Sequence, residues 1–307
     1  TLVAVGDTGT VLTSPNGITW AARFSSVATH LNAITWTGST LVAVGDLGVT
    51  LTSSTGTSWT LASANASISF SGIASTGTTL VATTLNGSIL TSPTGVTWTS
   101  QFSGAQSLLS ITWTGTQAIV VGNAGTLLTS PDALAWTMQS SGVTAQLTSV
   151  TAAGGQHVAV GAGGIILTSP TGTAWTNRSQ VSNASLRDVT WTGLEMIAVG
   201  QGGAALTSSN GDTWVVQSSG TAQDLEAAAW TGSEVLAVGA AGTILATTHG
   251  TSWTPRTSGT AQRLLGIAWT RSLSIIVGEN GTILTSPDGV VWTARSSGTL
   301  AHLRSVV

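Results

Sequence analysis

An all-β fold of eight repeated units is what this sequence predicts, and three observations predict it. A tryptophan recurs at Trp20, Trp59, Trp98, Trp136, Trp175, Trp214, Trp253 and Trp292, 39 residues apart and once 38. The same phrase surrounds each one, as in LNAITWTGSTLVAVGDLGVTLTSSTGTSW at 31–59 and LLGIAWTRSLSIIVGENGTILTSPDGVVW at 264–292. The final residues, LRSVV at 303–307, match the opening of a copy whose second part is entered at Thr1 and Leu2. Repeats of this length bury their apolar faces against their neighbours, and a last segment that completes the first unit closes the row into a ring. The prediction is a closed eight-bladed β-propeller over residues 1–307, with four antiparallel strands to a blade.

Each copy reads as four short strands divided by turn signals. The first is the Leu-x-x-Ile-x-Trp segment, Leu31 to Trp36. The second, Leu41 to Val44, is apolar on both sides, as expected where both faces of a sheet are covered. The third runs from Thr282 to Ser286 in the last copy, and the fourth begins at the repeat tryptophan.

Between the third and fourth strands lies Ser-Pro-Asp-Gly-x-x-Trp (Ser286 to Trp292), the chemistry of a tight hairpin. Asp or Asn bonds local amides, Gly takes positive φ, and Trp packs beneath. The Asp slot holds Asn16, Thr55, Thr94, Asp132, Thr171, Asn210, His249 and Asp288, and the following Gly is replaced only at Ala133. Five of the six prolines, Pro15, Pro93, Pro131, Pro170 and Pro287, follow the third strand directly, where no ladder donor is needed. Counting slots, only a Trp-Thr-Gly-x turn separates Val307 from Thr1, which makes eight whole blades.

Ser-x-Asp-Gly-x-x-Trp resembles the Asp-box of sialidase-type and other BNR-repeat propellers. Val-Gly-Asp-x-Gly-x-x-Leu, at Val44 to Leu51, is similar to the photosystem II assembly-factor propellers. The resemblance covers the whole chain and implies the propeller fold. Asp-boxes recur in glycosidases, sorting receptors and assembly factors alike, and the assembly-factor likeness implies a nonenzymatic scaffold. Most copies here lack the box Asp, and the assembly-factor family usually has fewer blades.

Composition narrows the function classes. Only 6% of residues are charged, 8 Arg and no Lys against 11 carboxylates, and a net charge of −3 gives no electrostatic case for nucleic acid. The 41% apolar content and 13 Trp supply enough burial to offset the ordering entropy of a Ser- and Thr-rich chain. Without cysteine there are no disulfides, zinc–thiolate sites or thiol nucleophiles. No run of about 18 apolar residues exists, so no membrane span is expected. The chain starts at Thr1 without a Met or a basic-then-apolar leader, which suits a processed or excised piece of a longer precursor, monomeric or one domain of a larger protein.

No catalytic constellation emerges, and the expectation is a non-enzyme without cofactor or metal. By resemblance, a sialidase-like site needs a Tyr nucleophile and three converging Arg. Tyr is absent, and Arg23, Arg178, Arg256 and Arg295 fall in one repeat slot dispersed round the ring, an outer-strand surface position. The four His, at 30, 157, 249 and 302, are scattered: His249 reads as a turn residue, and His157 as a surface residue opening a second strand. No dense Asp-x-Asp pattern or His pair has metal-ligand spacing.

Slots that differ between copies mark where the ring departs from symmetry. Those flanking the first-strand Leu are His30/Asn32, Ser69/Ser71, Ser107/Leu109, Gln146/Thr148, Ser185/Arg187, Asp224/Glu226, Arg263/Leu265 and His302/Arg304. Five consecutive copies carry titratable groups, namely His30, Arg187, Asp224, Glu226, Arg263, His302 and Arg304, and three carry none. These positions predict an arc at one mouth of the central channel, either as a binding surface or as ion pairs between blades. The loop after the second strand varies on the same rim. A second tryptophan set, Trp36, Trp113, Trp191, Trp230 and Trp269, closes the first strand and points to the opposite rim, as an aromatic platform or as hairpin anchors.

Two partners suit this pattern. The leading expectation is a noncatalytic binding or assembly scaffold that presents its variable rim to a protein partner. The alternative is a lectin-like propeller that takes a cell-surface glycan between blades, against which stands that the repeated residues are apolar and turn-forming. Absent Cys and Lys, few charges and high Ser, Thr and Gly content suggest a secreted or cell-surface protein.

Overall fold

The computed structural model describes residues 1–179 and 182–307. Eight antiparallel sheets of four strands each are present, and in each the strands follow one another from the axis outward. In blade 2 they are Leu31–Trp36, Leu41–Gly45, Thr50–Ser53 and Thr60–Ser63. The first strand of every blade touches those of both neighbours, so the eight form an unbroken inner ring.

Blade 1 is built from both ends of the chain. Leu303–Val306 supplies its innermost strand and pairs with Leu2–Gly6. Val3 and Val307 exchange both backbone hydrogen bonds, at 2.8 and 2.9 Å. A ring closed this way leaves no inner edge unpaired.

The core lies between blades, in eight apolar layers. One layer joins Val3 and Val5 of blade 1 to Leu31, Ile34, Leu41 and Trp59 of blade 2. Second strands are buried throughout, as their two-sided apolar pattern predicts, and each Val or Leu so covered is worth roughly 1.5–3 kcal/mol.

The hairpin tryptophan packs on the preceding blade, and in five blades it donates from Nε1 to the hairpin's own Gly carbonyl, 3.0 Å for Trp20 to Gly17, while Trp136 donates to Ala133 and Trp98 to Thr50. Its backbone stays out of the ladder. The outer strand therefore starts one residue later than the sequence suggests, at Thr293–Arg295 in blade 8, and the third strand is Ile283–Ser286. Asp288 accepts from the amides of Val290 and Val291, at 2.9 and 3.0 Å, and from the Ser286 hydroxyl. Where Asn or Thr fills that slot, the hairpin serine also accepts the Gly amide, at 2.8 Å from Gly17 to Ser14 Oγ and from Gly56 to Ser53 Oγ.

After the second strand, seven blades make one turn of 3-10 helix, such as Asp46–Gly48 in blade 2. A Cβ on Gly45, before this turn, would collide with the His30 carbonyl oxygen. Blade 3 has Thr84 in that slot and makes a different turn. These turns and the starts of the first strands share one rim, the candidate surface below.

Candidate interaction surface at the channel mouth

In seven blades the residue before the first-strand Leu latches its blade to the preceding one. His30 Nδ1 lies 3.1 Å from the Asp7 carboxylate. Ser69 donates to Asp46 at 2.6 Å, Ser107 to the Leu85 carbonyl at 2.6 Å, and Gln146 to Asn123 at 2.8 Å. Further round, the acceptor and donor exchange roles. Asp224 accepts from the Gly202 amide at 2.8 Å, and His302 Nδ1 from the Asn280 amide at 3.1 Å. Both donors are turn residues of the preceding blade. The eighth copy departs from the pattern, because Arg263 meets Ala240 and Ala241 there and bonds instead to Glu226, with Asp224 at 3.7 Å. Its hydrogen bond with Glu226 is the main reason its pKa is raised further.

The residue after the Leu sits at a break in register, where the first strand carries one extra residue against the second. It reaches toward the following blade or the channel. Asn32 donates to Asp46 at 2.9 Å and to the Phe70 carbonyl at 2.8 Å, and Thr148 to the Leu186 carbonyl at 2.7 Å. Arg304 bonds Asp7 at 2.5 Å. A cavity of about 390 Å³ at the mouth is lined by Asn32, Ser71, Leu109 and Arg304 from four successive blades, with Asp46 and Leu85.

Half of the expected ion-pair alternation therefore forms. Arg263 pairs with Asp224 and Glu226, but Arg187 has no ionic partner among the described residues, and its Nε is buried without a hydrogen bond. Of the predicted arc, His30, Asp224, Glu226, Arg263, His302 and Arg304 are engaged within the ring, and Arg187 is the exception.

Beside Arg187 stands a carboxylate that the sequence reading passed over. Asp188 accepts from Ser149 Oγ of blade 5, from its neighbour's amide at Val189, and from the Ala228 amide of blade 7, each at 2.9 Å. It ties three blades together, and burial pushes its pKa up. The signal was available: the other copies hold Ala33, Gly72, Ser110, Ser149, Ala227, Gly266 and Ser305 in this slot, all small and uncharged.

The opposite rim shows packing. Trp113, Trp191, Trp230 and Trp269 are half-buried, and Trp191 lies on the preceding blade, against Ala153 and the Gly154 hairpin. Trp36 is 43% exposed. The outer-strand arginines are also accounted for: Arg23, Arg178 and Arg295 bond the third-strand Thr13, Thr168 and Thr285, as Gln101 bonds Thr91. Arg256, which meets Ala246 there, reaches Glu234 at 3.3 Å.

His157 is a correction. It is buried, not a surface residue, because Gln117 from the neighbouring blade covers it, donating to its Nε2 at 2.8 Å and to the Thr171 carbonyl at 3.0 Å.

No family model matches the chain. No curated protein matches it either. The fold has solved counterparts. YCF48 bound to a D1 peptide superposes with a TM-score of 0.67 at 17% identity, over 95% of this chain and 96% of that one. YCF48 from Cyanidioschyzon merolae gives 0.63 at 16% identity, over 83% and 94%. A computationally designed protein, Ika8, gives 0.73 at 10% identity, over 89% of each chain. At these identities the likeness is one of fold.

Proposed function

We propose that this propeller is a noncatalytic scaffold that binds a protein partner at the channel mouth where the first strands begin, outside the cytosol. One observation carries the reading. Every other titratable member of the mouth arc lies against a partner within the ring, whereas Arg187, beside the half-buried Asp188, has no ionic partner among the described residues and a buried Nε without a hydrogen bond. Leaving a cation partly buried and unpaired costs stability, and such a cost is retained where a ligand meets it. A propeller of similar fold, YCF48, has been solved with a D1 peptide bound, which supports a protein-binding role.

The test is capture with immobilised wild-type chain and R187A. A protein retained by wild type and lost by R187A, with equal melting temperatures, supports the reading. Equal retention by both, or retention of glycans alone on an array, overturns it.

A further inference from the structure

A sheet edge with unpaired N–H and C=O groups is a template for another strand, and proteins blunt such edges with charge, proline, bulges or brevity. The outer strands give this ring eight edges, and seven carry one of these devices. Arginine ends the outer strands of blades 1 and 8, Ala21–Arg23 and Thr293–Arg295. That of blade 7, Thr254–Arg256, has both Pro255 and Arg256. The register slips in blades 2 and 3, between Thr50 and Leu51 and between Ile89 and Leu90. Among the described residues the outer strands of blades 4 and 5 are only two residues long, Thr137–Met138 and Thr176–Asn177.

Blade 6 has none of them. Val215–Ser218 pairs in unbroken register with the third strand, from Val215 against Thr207 to Ser218 against Ala204. It holds no charge and no proline, and Val215 and Val216 are about half exposed. Among the described residues, no other outer strand has two consecutive β-branched apolar residues.

Sister blades show which backbone groups face outward. Gln139 and Arg178, in the slot of Gln217, donate their amides inward to the Leu127 and Ile166 carbonyls, at 2.9 and 2.8 Å. Alternation then turns the N–H and C=O of Val216 and Ser218 outward. Pro255 occupies the slot of Val216 in blade 7, consistent with a position that needs no inward donor.

We infer that the Val215–Ser218 edge is a second docking site, separate from the channel mouth, for a short, extended, uncharged segment of a partner protein that adds to blade 6 as a fifth strand. The size of the edge argues for a peptide over a second copy of the chain. The outer wall of a ring is convex, so two rings would meet along this strand alone. Its four residues span about 13 Å, and a stable protein interface needs roughly 800 Å² from each partner. The chemistry of the segment follows from the surroundings. A groove of about 410 Å³ runs beside the strand, lined by Val216, Gln217, Leu206 and Ala184 among others, with no charged side chain. Alternate Val-sized or Thr-sized side chains fit it, and a charged one would lose its hydration for no partner.

The experiment uses the full chain and a fluorescent Thr-Val-Thr-Val-Thr-Val peptide with blocked ends, followed by anisotropy and by hydrogen exchange. The expected result is saturable binding, with protection of the Val216 and Ser218 amides. V216P, which copies blade 7, should weaken binding about tenfold or more, the effect of losing an outward donor and closing the edge. If V216P melts earlier than wild type, V216K makes the same test without constraining the backbone. No saturation at millimolar peptide, or equal binding by wild type and both variants, overturns the proposal. So does a wild-type dimer that V216P abolishes, because the occupant would then be a second copy.

Discussion

Arg304 donates from Nε to the carboxylate of Asp7 at 2.5 Å, across 297 positions of sequence. The pair sits on the channel mouth and joins the chain's last strand to the turn after blade 1's second strand, so ring closure and the candidate surface share residues. The arginine is 42% exposed, however, though Asp7 is only 14% exposed, and an ion pair open to water on one side is worth little. Closure should rest instead on the buried Leu303 and the hydrogen bonds between Val3 and Val307.

Removal of each in turn separates the two contributions. L303A should cost about 2–5 kcal/mol in urea unfolding, the cost of an emptied core site, and R304A less than about 1 kcal/mol. A larger loss from R304A would show that the ion pair holds the ring.

Gly45 offers a test of the turn geometry. Its backbone is extended, so the constraint is space: a Cβ would press on the His30 carbonyl oxygen. G45A should destabilise the chain by about 1–3 kcal/mol, as overpacking does. A neutral result would mean that the turn relaxes as blade 3 does around Thr84.

Burial pulls the pKa of His157 below its ordinary 6.5. A depressed His pKa means that the unfolded chain takes up the proton first, so stability is full above about pH 6.5 and falls as the pH drops below it. Wild type should therefore melt progressively lower from about pH 7 to pH 5. H157M, which places the residue of Met196 from blade 6 in the same slot, should lose much of that slope. An unchanged slope would place the acid sensitivity elsewhere.

At lower pH the hairpin carboxylates take over. Asp132 and Asp288 are held below their ordinary 3.8, chiefly by the amides of Ala135 and Val291. Their stabilisation is present above that value and is lost as pH falls through the depressed one. The double variant D132N/D288N should unfold with a shallower acid dependence below about pH 4, measured by fluorescence of the hairpin tryptophans. A dependence identical to wild type would show that these bonds do not distinguish the folded chain from the unfolded.

The architecture was legible because its causes are local and repeated: Trp20 and its seven equivalents, the two-sided apolar second strand, and an end that matches the start. The site was legible only in outline. His157 read as a surface residue because what buries it, Gln117, belongs to another blade, and a pattern within one repeat does not show contacts between repeats. The alternation of Arg187, Asp224 with Glu226, and Arg263 suggested a chain of ion pairs. The direction in which each side chain leaves the strand, set by the register break at the Leu, decides which of them meet. Asp188 lay one slot beyond the flanking positions and needed the same comparison carried one residue further.

The central claim is that a protein partner meets this ring at the mouth beside Arg187. A photoreactive amino acid placed at position 187, and separately at Trp191 on the opposite rim, tests it in one experiment with the captured partner. The account predicts cross-links from position 187 and none from position 191. Cross-links from position 191 with none from position 187 would contradict it.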